Sequence, residues 1–266
     1  MSFRIAILQF DPVRNDVAQN IRTIEHHLAG IQADLIVLPE MANSGYLYAS
    51  PSAMEPFTEK CDERSPFISV LVKLAEQSKG VIVAGYAEKA NESLFNAAIA
   101  ISPNGILANY RKTHLFDNEK NLFQPGDTGF LTFNWKGVSI GLMICFDWIF
   151  PESTRTLALA GAQIIAHPAN LVLPLCQDAM VTRSIENRVF TVTANRIGSE
   201  QLGDTNLDFT GRSQVTDPFG TVLYQAPKDK AALHILEVDP DLALNKYITN
   251  RNNLFKDRRI EFYSQQ

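Results

Sequence analysis

Three residues of unlike chemistry, Glu40, Lys112 and Cys145, each lie at or just past the end of a predicted strand. Together they supply a carboxylate, an ammonium and a thiol. A thiol with a pKa near ~8.5 is only partly ionised at neutral pH, so as a nucleophile it needs a base. A carboxylate can take its proton, and a cation can stabilise the oxyanion that forms when sulfur attacks an acyl carbon. Cys145 ends residues 138–144, an apolar run bounded upstream by Lys136 and Gly137. That pattern predicts a buried strand. Pro151 is placed to open a helix, with Glu152, Ser153 and Thr154 in its first turn. Helix N-termini and nearby cations lower a thiol pKa, so this position favours a thiolate. Most free cysteines are nevertheless small buried hydrophobes, and this stretch alone does not decide.

The elements that must position these residues follow from periodicity. Residues 3–10 predict a first strand. Asp16 is placed to cap a helix, with Gln19 at capping-box spacing. Val17, Ile21, Ile24, Leu28 and Ile31 recur at helical spacing. Residues 34–38 predict a second strand, and Glu40 lies just past it beside Pro39. Ser65 and Pro66 open a second helix that Gly80 stops, and 81–87 predict a third strand. A hairpin joins 94–102 to 106–112 across Pro103-Asn104-Gly105. Lys112 ends it in an aromatic setting that includes Phe116 and Phe123.

After the cysteine strand the order repeats: a helix over 151–160, a strand at 164–166, a helix over 178–188 and a strand at 190–194. A hairpin of 213–216 and 221–225 and a strand at 233–238 follow. Each half reads β-α-β-α-β and then a hairpin. Two such halves, each a sheet with helices on one face, can bury their bare faces together. That predicts an α/β fold in four layers, an αββα sandwich in one domain spanning 1–266. Residues 249–266 form a charged tail whose Leu254, Phe255, Phe262 and Tyr263 suggest packing on a partner subunit.

Composition bounds the function. The chain has 266 residues, 45% of them hydrophobic and 20% charged, as in soluble globular proteins. A formal net charge of -5 argues against a nucleic-acid partner. Cys61, Cys145 and Cys176 are far apart and form no Cys-x-x-Cys, so neither a disulfide framework nor a zinc site is expected. No apolar stretch approaches ~20 residues, so no membrane span is expected. The N-terminal run reads as a strand rather than a signal peptide. A reducing cytoplasm is the expected compartment.

The segments LPEMANSGY, YRKTHLF and MICFDWIFPES, which carry Glu40, Lys112 and Cys145, resemble the three signature blocks of the nitrilase superfamily of carbon–nitrogen hydrolases. AHPANL, RSIENRVF, TANRIG and FTGRSQVTDPFG resemble its supporting blocks. The chain is most similar to the small single-domain members of the aliphatic nitrilase and amidase type. The resemblance implies an αββα sandwich, a Cys-Glu-Lys triad, a homodimer or larger homo-oligomer, and neither cofactor nor metal. Glu40 would then be the base, Cys145 the nucleophile, and Lys112 with the Phe146 backbone N–H the oxyanion donors. Glu119 matches a second glutamate that the family places near the triad, positioning substrate or Lys112.

The expected reaction is hydrolysis of a small, largely uncharged amide or nitrile to a carboxylic acid and ammonia. An N-carbamoyl amide is the alternative substrate, and a catalytically silent binding protein on the same fold the alternative class. Tyr46, Phe116, Phe146, Trp148, Asn170 and Leu171 are the expected substrate-binding residues, and Arg183 is placed to meet a carboxylate. His114 and His167 keep a Cys–His pair open. An i, i+2 pair shares a strand face, so alternation cannot separate Lys112 from His114. The family pattern favours Lys112, and His167 reads as structural.

Overall fold

The computed structural model describes residues 2–263. Its first half contains β1 (Phe3–Gln9), α1 (Val17–Leu28), β2 (Leu35–Val37), the single turn α2 (Pro51–Met54) and α3 (Pro66–Ser78). It continues with β3 (Val81–Ala90), β4 (Ser93–Ser102), β5 (Gly105–Arg111) and the single turn α4 (Glu119–Leu122). The second half contains β6 (Thr132–Trp135), β7 (Val138–Leu142), α5 (Pro151–Leu159), β8 (Ile164–Pro168), α6 (Cys176–Asn187) and β9 (Phe190–Ala194). A small hairpin, β10 (Ser199–Leu202) and β11 (Thr205–Asp208), precedes β12 (Gln214–Thr216), β13 (Val222–Gln225) and β14 (Ala232–Val238).

Two six-stranded sheets form, in the orders β14-β1-β2-β3-β4-β5 and β13-β12-β9-β8-β7-β6. Strands β1, β2 and β3 run parallel, as do β7, β8 and β9. Strict alternation sorts the first sheet's side chains. Ile5, Ile7, Leu35, Val37, Val81 and Val83 share one core with Ile140, Leu142, Ile164, Ala166 and Val192 of the second sheet. Their neighbours Ala6, Leu8, Ile36, Leu38, Ile82 and Ala84 pack instead with Ile24 and Leu28 of α1 and Phe67, Ile68 and Leu71 of α3. The expected four layers are present.

The predicted helix start at Asp16 is present, its carboxylate accepting the Gln19 N–H at 2.8 Å. Sequence reasoning did not foresee the β10–β11 hairpin. Nor did it foresee that the last strand, β14, crosses to pair antiparallel with β1. The tail lies partly on its own chain: Phe255 packs against the main core, beneath Arg155 and Lys246. Phe262 and Tyr263 are exposed. Residues 264–266 of the expected tail lie outside the described residues. Among the described residues no helix is long and apolar enough to cross a membrane.

Candidate active site

The sheet directions bring the carriers together. Strand β5 pairs antiparallel with β4, and β4 with β3, so β5 ends on the same side as parallel β2. Glu40 lies three residues past β2, and Lys112 directly follows β5. Two close backbone approaches hold them there. A Cβ on Gly85 would lie 2.4 Å from the Glu40 Cα. The bare backbone lets Gly85 donate its N–H to the Pro39 carbonyl at 3.0 Å. A Cβ on Gly126 would lie 2.0 Å from the Arg111 carbonyl oxygen, and Gly126 donates to the Lys112 carbonyl at 2.9 Å.

Lys112 and Glu40 are buried, with Glu119 just beneath the surface. The Lys112 Nζ donates to Glu40 Oε1 at 2.8 Å and to Glu119 Oε1 at 2.7 Å. Burial disfavours the ammonium, yet the Glu119 and Glu40 carboxylates outweigh it and raise its pKa. Asn96, on β4, donates to Glu40 Oε1 at 2.7 Å and to Glu119 Oε1 at 3.3 Å. Glu119 Oε1 also accepts the Tyr46 hydroxyl at 2.8 Å, and Oε2 accepts the Phe116 N–H at 2.9 Å. Both Glu119 oxygens are therefore engaged. Glu40 Oε2 is buried without a hydrogen-bond partner. Burial raises the Glu119 pKa despite Lys112.

Cys145 opens a 3-10 turn, Cys145–Ile149, that sequence reasoning did not foresee between β7 and α5. Its φ of 37° is in the left-handed region, an uncommon and strained setting for a side chain with a Cβ. Asp147 fixes the turn. It accepts the Ile144 N–H at 2.9 Å, the Tyr110 hydroxyl at 2.8 Å and the His114 N–H at 3.2 Å. The Cys145 turn is thus bolted to Tyr110 on β5, the strand that leads into Lys112. The expected thiolate is not favoured at rest. Burial and the Glu40 carboxylate raise the Cys145 pKa well above normal, against the opposing pull of Lys112. The thiol is neutral until something takes its proton.

His167 has both ring nitrogens engaged, and His114 lines a separate cleft with Phe146 and Phe150 that Cys145 does not border. His167 lies between the Thr193 hydroxyl and the Cys145 carbonyl, 3.0 Å from each. A carbonyl only accepts, so Nε2 carries the hydrogen and Nδ1 accepts from Thr193. The His114 Nδ1 lies 2.8 Å from Asp147 Oδ1, and its ring stacks on Phe150 at 3.7 Å. Strand β5 ends at Arg111, so the alternation that left Lys112 and His114 unresolved has already stopped. Arg183, expected to be available to a carboxylate, instead donates to the Trp148 and Ile149 carbonyls and pairs with Glu186.

Phe116, Phe146, Trp148, Asn170 and Leu171 line a narrow cleft of about 20 Å³ with Cys145. Tyr46 lies in a neighbouring cavity of about 330 Å³ with Glu119, walled also by Leu122, Leu202 and Leu207, and Phe116 borders both spaces. Both polar side-chain atoms of Asn170 are buried and unpartnered. Asn96 and Asp147 were missed by sequence reasoning. The available signal for Asn96 was a lone amide in the otherwise apolar run of residues 94–101. Among the described residues no group of three or more His, Cys, Asp or Glu is arranged to hold a metal ion.

The sequence and the fold have counterparts in known proteins. A protein of Pyrococcus abyssi named nitrilase is 44% identical over 231 residues, 87% of this chain and 86% of that protein. An (R)-stereoselective amidase of a Pseudomonas species is 33% identical over 270 residues, 99% of this chain and 94% of that one. The crystal structure of a carbon–nitrogen hydrolase from Helicobacter pylori G27 has the same fold, with a TM-score of 0.87 at 24% identity. It covers 99% of this chain and 97% of its own. The family model described as carbon–nitrogen hydrolase matches residues 4–245, from the first strand to beyond the last. By sequence and by fold alike, the chain belongs to the carbon–nitrogen hydrolase family of enzymes.

Proposed function

We propose that the protein hydrolyses a small, largely uncharged primary amide to a carboxylic acid and ammonia through a thioester on Cys145. The observation that carries this reading is the unpartnered Glu40 Oε2 in a site whose thiol is held neutral. That oxygen takes the thiol proton as sulfur attacks the amide carbon. The third N–H of Lys112 and the N–H of Phe146 meet the resulting oxyanion. The first N–H groups of a helical turn lack carbonyl partners within it, which leaves that of Phe146 for this use. On collapse the C–N bond breaks, and the proton on Glu40 passes to nitrogen to release ammonia. Water then gives a proton to Glu40 and attacks the thioester carbon. The C–S bond breaks, and Glu40 returns the proton to sulfur. Glu119, with both oxygens engaged, positions Lys112.

Asn170 favours an amide over a nitrile. Its side chain offers one donor and one acceptor without partners in the Cys145 cleft. A primary amide presents the complementary pair, whereas a nitrile has no N–H to give. The aromatic and aliphatic walls suit an uncharged acyl group. The experiment is ammonia release from matched amides, nitriles and N-carbamoyl compounds. Amides are expected to be preferred, and Cys145→Ala to abolish turnover while Cys61→Ala and Cys176→Ala retain it. Turnover by pure Cys145→Ala protein, or nitriles exceeding their matched amides, would overturn the reading.

A further inference from the structure

Arg196 heads the fully buried side chains in size, and it lies outside the Lys112 cluster. Its guanidinium pairs with Glu200 and with Asp11 at 2.5 Å, and donates to the Pro12 carbonyl at 3.1 Å. It also lies over the Phe209 ring, 3.9 Å from the centroid. Glu200, on β10, accepts the N–H of Tyr46 at 3.0 and 3.1 Å and that of Leu47 at 2.7 Å. Phe209 meets the Tyr46 ring edge-on, at 6.0 Å and 89°. One carboxylate thus fixes the Tyr46 backbone, and the ring that Arg196 covers fixes its side chain. The Tyr46 hydroxyl donates to the Glu119 oxygen that Lys112 also uses.

A buried ion pair is weak evidence of a stabilising role, because desolvation offsets its attraction. What marks this one is its target, the backbone and side chain of a single residue on Glu119. We infer that Arg196 and Glu200 are positioning residues that hold Tyr46, so that its phenol fixes Glu119 and thereby the direction of the free Lys112 N–H. The route crosses the molecule, from the β10–β11 hairpin of the second half to the Lys112 site of the first. Leu202 and Leu207 of the same hairpin wall the cavity beside Glu119, so the hairpin contributes both a substrate surface and the anchor. The inference rests on the hydrolase reading above for its effect on rate.

The test is a double-mutant cycle on the full chain with Glu200→Gln and Tyr46→Phe, scored by kcat and KM for a primary amide and by Tm. Each single variant is expected to lower kcat about 10-fold or more, with KM within about 3-fold, and the double variant to be no worse than the poorer single. Losses that multiply in the double variant, or a Glu200→Gln protein that loses Tm yet keeps kcat, would overturn the inference. If Glu200→Gln does not fold, Phe209→Leu replaces it, since it frees the Tyr46 ring and leaves the carboxylate in place. The same cycle is run on the iodoacetamide alkylation rate of the Cys145 peptide, which needs no substrate. A wild type that releases no ammonia defeats the hydrolase reading alone. Non-additive changes of about 3-fold or more in alkylation would still support the positioning role, and additive ones would reject it.

Discussion

At the scale of single residues, the two carboxylates on Lys112 are separated by what remains free on each. Glu119 has both oxygens engaged by Lys112, Tyr46, Asn96 and Phe116, while Glu40 keeps one oxygen unpartnered. In the proposed reaction the wholly unpartnered oxygen of Glu40 takes the proton, and Glu119, tied on both oxygens, positions Lys112. Glu40→Gln keeps shape and hydrogen bonding but cannot accept the thiol proton. It is expected to lower kcat/KM by about 10²–10⁴-fold. Lys112→Met is expected to cost at least the ~10²–10³-fold of one oxyanion donor. His114→Asn should stay within about 10-fold of wild type, being outside proton transfer. A near-wild-type Glu40→Gln beside an inactive His114→Asn would move the base to the histidine. Glu40, Lys112 and Cys145 were singled out by their places at predicted strand ends together with the family blocks that carry them, which alone separated Lys112 from His114. The thiol's neutrality was not legible, because it depends on burial and on the charges that the fold gathers around it.

At the scale of elements, His167 links three strand ends. It sits on β8, touches the Thr193 hydroxyl of β9, and holds the carbonyl of Cys145 beyond β7. Burial pushes its pKa down from 6.5 to about 4, against the small upward pull of its carbonyl bond. The folded state therefore keeps the ring neutral where the unfolded chain would protonate it. Between pH 4 and 6.5 the unfolded state binds more protons. The stability linked to this ring is complete above pH 6.5 and is lost as pH falls toward 4. Over the window this amounts to roughly 3 kcal/mol. Urea unfolding at pH 7.5 and 4.5 should show a larger loss for wild type than for His167→Gln, and equal losses would reject the linkage. The long strands and amphipathic helices were readable from periodicity. The β10–β11 hairpin was not, because SEQLGDTNLD has too few apolar residues to alternate. Its only local signal was the Gly203-Asp204 pair at the turn, where Gly203 has a φ of 58°.

At the scale of the whole molecule, the sandwich was legible because alternation gives every central strand two apolar faces. One faces the helices and the other needs a second sheet. The partner of the finished molecule depends on surface, which periodicity does not report. Ile260, Phe262 and Tyr263 are exposed at 66%, 70% and 56%, on a segment whose Phe255 is already docked. Arg251, Lys256, Arg258 and Arg259 precede them against Asp257 and Glu261, so this segment is net positive in a chain whose formal net charge is -5. A second copy of this acidic chain offers both an apolar face and opposite charge. We therefore propose a homodimer or larger homo-oligomer in which residues 260–263 lie against the partner. Light scattering at micromolar concentration should give at least a dimer mass. Ile260→Asp combined with Phe262→Asp should shift it toward monomer without changing the far-ultraviolet spectrum, since both side chains lie outside the folded core. A monomeric wild type would reject the assembly. A variant that remains dimeric would place the contact elsewhere, because two aspartates buried unpaired against a partner's apolar surface carry a heavy desolvation cost.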